Sequence, residues 1–150
     1  MPNLRFAKPV MFLFLCIPFV SFSQKLEVLN VEVINEPILD STQGDDQPSE
    51  KFIVKLLIEV DGPLAELMNI DIKLNQFSKD LKSDQVILDR KLNYATKEDL
   101  PEGVLIQENG SIIFIDITQL DEPAFFKVKV TLEDMEGKKS KPVFYSPLKG

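Results

Sequence analysis

The sequence predicts an all-β fold, a single antiparallel sandwich of seven or eight strands. Three observations carry this expectation. Apolar residues recur at every second position in almost every apolar stretch, no stretch of helical length repeats at 3.6 residues, and turn-forming residues interrupt the pattern at strand-length intervals. The alternation is clearest in Met68-Asn69-Ile70-Asp71-Ile72-Lys73-Leu74-Asn75, where even positions are apolar and odd ones polar, as one wet and one dry face require.

The first 23 residues read as an export signal rather than as part of that fold. Arg5 and Lys8 form a basic start, Val10 to Val20 an apolar core, and Ser21-Phe22-Ser23 a small-x-small cleavage pattern before Gln24. The core spans about 11 residues where a bilayer-crossing helix needs about 20, and Pro18 interrupts it, so no stable membrane anchor is expected after cleavage. Cys16 follows Phe14 and Leu15 in mid-core instead of small residues, which makes it one more apolar residue of the signal and not a lipidation site. Residues 24–150 are then expected to form one domain.

The elements follow in order. Leu26 and Val28 lie in one phase and Leu29, Val31 and Val33 in the other, so the first strand slips near Val28-Leu29 through a bulge or a crossing between sheets. Phe52 to Val60 is a strand whose even positions are all apolar, and Met68 to Asn75 is the next. Val86 to Tyr94 alternates less cleanly because Arg90 breaks its apolar face. Val104 to Gln107 and Ile112 to Thr118 flank Glu108-Asn109-Gly110-Ser111, and Asn-Gly favours a two-residue hairpin in which both central residues take positive φ.

Phe126 to Glu133 repeats the strict alternation, Asp134 to Lys138 makes a turn, and Pro142 marks the last short strand as an edge. Loops are expected over Pro37 to Ser49, Asp61 to Pro63, Phe77 to Asp84 and Ala95 to Gly103. A single helical turn fits Pro63 to Leu67 or Lys97 to Leu100.

In the C-terminal quarter, Leu120 is followed by Pro123, Phe126, Val128 and Val130, and then by Gly137, Ser140 and Pro142. This stretch resembles the last three strands of a fibronectin type III or related immunoglobulin-like domain. Phe126 stands where that family usually has a tyrosine whose hydroxyl ties the corner, the proline comes one residue late, and the chain has no tryptophan. The resemblance implies an immunoglobulin-like sandwich, a fold that serves adhesion, scaffolding, chaperoning and binding alike.

Composition narrows the chemistry. Cleavage removes two cations and no acids, leaving 15 Lys and Arg against 24 Asp and Glu, a net charge of −9 with no histidine and no cysteine. An exported chain without disulfides points to a bacterial envelope, in the periplasm, at the cell surface or outside the cell. Its lysines are interleaved with acids, which argues against a nucleic-acid partner. Without imidazole or thiol it has no common catalytic triad and no soft metal ligands, so no enzyme is expected. Paired carboxylates could still serve a hydrolase, which ranks third among the readings.

Two sets of residues are candidates for binding. Asp40, Asp45, Asp46 and Glu50, with Gly44 for a bend, supply oxygen ligands for calcium without the spacing of an EF-hand, so the loop is either a solvated acidic turn or part of a calcium-assisted or carbohydrate-linked surface domain. Ile53 and Leu57 point away from the Phe52 to Val60 core row, and Ile112 and Phe114 do so in the Ile112 strand. If these strands are neighbours, the four residues share an outer face. Either a loop, Pro37 to Ser49 or Ala95 to Gly103, covers that face, or it meets a protein partner or a second copy. The exposed C-terminal edge offers another route, by strand addition. The functional expectation is an exported, non-catalytic binding or structural module that works through protein–protein interaction.

Overall fold

The computed structural model describes residues 24–38, 51–77, 84–120 and 124–147. The proposed export signal, with Cys16, and most of the acidic loop lie outside the described residues. The strands are β1 (Glu27–Ile38), β2 (Lys51–Asp61), β3 (Leu67–Phe77), β4 (Asp84–Asn93), β5 (Leu105–Asn109), β6 (Ile112–Leu120), β7 (Phe125–Asp134) and β8 (Val143–Tyr145), with one 3₁₀ turn at Leu64–Glu66. They form two four-stranded antiparallel sheets, ordered β1-β2-β6-β5 and β4-β3-β7-β8, in a sandwich-like arrangement.

The alternation read from the sequence becomes the core. Val54, Leu56, Ile58 and Val60 of β2 and Ile113, Ile115 and Ile117 of β6 come from one sheet; Ile70, Ile72 and Leu74 of β3 and Phe126, Val128, Val130 and Leu132 of β7 come from the other. All belong to one apolar cluster. Each such buried side chain contributes about 1.5–3 kcal/mol relative to exposure.

Bulges set where the phase changes. The register of β1 against β2 shifts between Val28 and Asn30, so the slip is a bulge at Leu29 within one sheet, with no crossing to the other. A second shift at the start of β3 brings Leu67 into the core and leaves Met68 half-buried, where alternation alone had placed Met68 inside. Arg90 lies opposite Ile72 on the core side of β4, yet it stays exposed because β4 is an edge strand and its side chain reaches water past that edge. An inward-facing charge of this kind discourages edge-to-edge pairing.

Two expectations are corrected and one pair of alternatives is decided. Pro37 and Ile38 continue β1, opposite Phe52 and Lys51, instead of opening the loop; β1 is an edge strand, so the N–H that proline lacks need not join a ladder. The β5–β6 hairpin pairs Asn109 with Ile112, so its central residues are Gly110 and Ser111 and not Asn109 and Gly110. Only Gly110 takes positive φ (61°), the pattern of a type II′ turn with glycine first. The helical turn forms at Leu64–Glu66 and not at Lys97 to Leu100.

The turn after β7 is organised by Asp134, whose Oδ1 accepts from the N–H groups of Glu136 (2.9 Å) and Lys138 (2.8 Å). Beyond it the buried Ser140 donates its N–H to the Leu132 carbonyl and accepts the Leu132 N–H on Oγ (2.9 Å), which carries the chain into the edge strand β8.

One side chain bridges the two sheets on each open flank. Asn35 of β1 donates to the Ala124 carbonyl (3.1 Å). On the other flank Tyr94, just past β4, donates its hydroxyl to Glu108 of β5, and Lys97 stands 5.5 Å over the tyrosine ring. Burial, and then the hydrogen bond and charge of Glu108, push the Tyr94 hydroxyl above its ordinary value. The folded chain therefore keeps a proton that the unfolded chain loses near pH ~10, so this contribution is complete below that pH and is lost as pH rises beyond it. Urea titrations at stepped alkaline pH should show wild type losing stability more steeply than Tyr94→Phe. Parallel profiles would remove the bridge from the account.

Candidate functional site

The four apolar residues singled out in the sequence do meet on one outer face. β2 and β6 are antiparallel neighbours, and Leu57 lies directly opposite Phe114. Each alternates with residues at 0 % exposure, Leu56 and Ile58 on one strand and Ile113 and Ile115 on the other, so both point away from the core. Ile112, opposite Glu59, sits one row away from this pair, and Ile53 lies nearer the other end of the face.

The rest of the sheet extends this surface. Across the four strands run Glu32, Leu57, Phe114 and Gln107 in one row, Asn30, Glu59, Ile112 and Asn109 in the next, and Ile34, Lys55, Asp116 and Leu105 on the other side. Ile34 and Leu105 are 41 % and 51 % exposed, whereas the four predicted residues are half-buried. A cross-strand aromatic–aliphatic pair such as Leu57 and Phe114 contributes about 0.2–1 kcal/mol to its own sheet.

Of the two loops expected as covers for this face, Ala95 to Gly103 meets it at Gly103, which lines a hollow with Ile53 and Asp116. Its Leu100, and Val104 beyond it, pack against the core cluster, so the loop closes the flank between β4 and β5. Pro37 to Ser49 lies outside the described residues from position 39 onward.

The electrostatics of the face are asymmetric. Lys55 donates to Glu36, and this hydrogen bond, with the nearby charges of Asp116 and Glu36, holds the Lys55 ammonium above its ordinary value against the opposing effect of burial. Asp116 lies opposite Lys55, but its Oδ1 is buried and has no hydrogen-bond partner. It lines a cavity of about 370 Å³ with Ile53, Gly103, Val104, Leu105 and Thr118. A buried acceptor without a partner is costly, and Asp116 bears that cost beside the cavity.

A larger cavity, about 550 Å³, opens on the flank between β1 and β8 and is lined by Val33, Asn35, Ala124, Phe125, Phe126 and Tyr145, among others. It contains none of the predicted residues and borders segments outside the described ones. Asp40, Asp45, Asp46 and Glu50 also lie outside them. Among the described residues no three His, Cys, Asp or Glu side chains are grouped to hold a metal, and no helix is long and apolar enough to cross a membrane.

Ile34, Leu105 and Asp116 were missed by sequence reasoning. A signal for the first two existed: Ile34 follows the inward Val33 and Leu105 precedes the inward Ile106, so each is apolar in the wrong phase for the core. Asp116 looked like an ordinary outward acid between two isoleucines. Neither a family model nor a curated protein matches the chain.

Proposed function

We propose that the chain is an exported, immunoglobulin-like domain of a bacterial cell envelope that acts without catalysis, as a protein-interaction module, through the outer face of the β1-β2-β6-β5 sheet. The strand order supports the fold reading. Lettered as in that superfamily, β1-β2-β6-β5 facing β4-β3-β7-β8 corresponds to A-B-E-D facing C′-C-F-G. Leu120 at the end of β6 packs on the core, and Phe126, Val128 and Val130 of β7 lie within it. Phe126 brings no hydroxyl, so the corner hydrogen bond of the family has no counterpart at that position.

The observation that carries the functional reading is the Leu57–Phe114 pair, with Ile112 diagonal to it and exposed Ile34 and Leu105 on the two edge strands, an apolar cluster rimmed by polar residues. Contiguous apolar surface of this kind marks an interaction site. Leu57→Asp/Phe114→Asp places two charges on the face while leaving the core row untouched. Wild type and the double variant, each displayed in the source envelope and chemically crosslinked, should differ by the loss of the same discrete adducts in the variant, with both proteins folded by circular dichroism. Identical adduct patterns would refute the reading.

A further inference from the structure

We infer that the free edge of β1, from Asn30 to Glu36, takes up an extended segment of a partner protein in which apolar and basic side chains alternate. The apolar ones enter the cavity between β1 and β8, and a basic one meets Glu32. This surface lies beyond the outer-face reading above and does not depend on it.

Two sheets have four edges, and three of them are blunted. β8 is three residues long and stands between Pro142 and Pro147, so the C-terminal edge expected as a route for strand addition offers little ladder. β4 carries Arg90 on its core side. β5 is five residues long, and Glu108 shares the inward phase of the buried Ile106. β1 runs for 12 residues with β2 as its one ladder partner among the described residues. Its own protections sit at the ends, the bulge at Leu29 and the proline at 37. Between them the inward phase is Val31, Val33 and Asn35, with no charge. An unpaired ladder of this length is matched only by another polypeptide in extended form.

The cavity tells what side chains that polypeptide brings. β8 pairs with Val128 to Val130 of β7, so among the described residues no strand closes the flank beside Phe125 and Phe126. There the cavity of about 550 Å³ opens, with Val33 and Asn35 of β1 on one wall and Phe126, Tyr145 and Pro147 on the other. A strand added about 4.8 Å from β1 sends every second side chain toward the other sheet, beside Val33 and Asn35 and over this space. Those side chains are therefore apolar. The intervening ones lie beside the outward residues of β1, Glu32, Ile34 and Glu36. Glu36 is committed to Lys55, whereas Glu32, and Glu59 opposite Asn30, have no ion-pair partner among the described residues. A basic side chain in that phase is the complement. A second copy of β1 fits less well. The register that sets the bulge of one copy opposite the proline of the other is centred on Val33, and it gathers the Glu32 and Glu36 carboxylates of both copies along one seam.

The probe is a synthetic peptide alternating lysine and valine, capped at both ends and titrated to millimolar concentration against the chain expressed from residue 1. Hydrogen exchange read by mass spectrometry should slow within Asn30 to Glu36 and not in β5 or β8. Because a chain of net charge −7 attracts any cationic peptide, the control is a peptide of the same composition with its lysines and valines in separate blocks, which should give no such protection. Glu32→Lys, on the exposed side of the strand, should weaken binding of the alternating peptide by about tenfold or more. Ala124→Leu, which fills part of the cavity, should weaken it too at an unchanged melting temperature, and Leu57→Asp/Phe114→Asp should leave it unchanged. No binding, protection elsewhere, or binding indifferent to residue order or to Glu32→Lys overturns the inference. So does protection of Asn30 to Glu36 that rises with chain concentration without peptide, since a second copy then holds the edge. Loss of the envelope adducts that depend on Leu57 and Phe114, with peptide binding retained, separates the outer face from this edge.

Discussion

Leu56→Ala is expected to cost the fold about 2–5 kcal/mol, while Leu57→Ala, one residue along the same strand, should cost less than about 1 kcal/mol. Both remove the same atoms from β2, a strand internal to its sheet. Leu56 is at 0 % exposure between Val33 and Ile115, its partners across the two neighbouring strands, and it faces the second sheet. Truncating it removes its transfer free energy and leaves a cavity that two hydrogen-bonded sheets cannot close. Leu57 faces outward beside Phe114, where water fills the space at little cost. Urea denaturation with an unchanged m-value measures both. Equal losses would show that the strand phase, and with it the identity of the outer face, is wrong.

Gly62→Ala should cost about 2–4 kcal/mol, and Gly110→Ala about 1 kcal/mol. Gly62 follows β2 with φ at 109°, a conformation outside the left-handed helical well that a side chain tolerates best. A Cβ there would stand 3.0 Å from the Lys25 carbonyl oxygen and 3.2 Å from the Leu26 Cα, both backbone atoms. Leu26 belongs to the core, so the clash cannot be relieved without moving a packed residue. At Gly110 the φ of 61° is left-handed and nothing lies within 4 Å of a Cβ, which leaves only the intrinsic cost. Thermal melts of the two variants rank them directly; a reversed order would contradict the approach of the Lys25–Leu26 backbone to Gly62.

Much of this molecule is legible in its residues because a β-strand has a period of two. Ile70, Ile72 and Leu74, or Val128 and Val130, declare their face without reference to anything distant, and the bulge near Leu29 shows as a change of phase. The failures are equally local in origin. Met68 and Leu67 are adjacent apolar residues, and only the pairing of β3 with β7 decides which one turns inward. Asn109-Gly110 and Gly110-Ser111 are both acceptable hairpin centres, and the pairing of Asn109 with Ile112 chooses between them.

The candidate site was half legible for the same reason. That Ile53, Leu57, Ile112 and Phe114 point outward is a statement about each strand alone. That Leu57 stands opposite Phe114 depends on strands separated by more than fifty residues, as does the meeting of Lys129 with Lys73 and of Asp116 with an already committed Lys55.

The sequence by itself determined the all-β class, the inward and outward side of almost every strand, and the lack of imidazole and thiol from residue 24 onward. Only the tertiary structure decided which strands are neighbours, and therefore that one outer face gathers Leu57, Phe114 and Ile112 at its centre while the opposite one sets lysines of β3, β4 and β7 among Asp71, Asp84, Asp89 and Glu133. Alternation is written along the chain, whereas the make-up of a surface comes from side chains that only cross-strand register brings together.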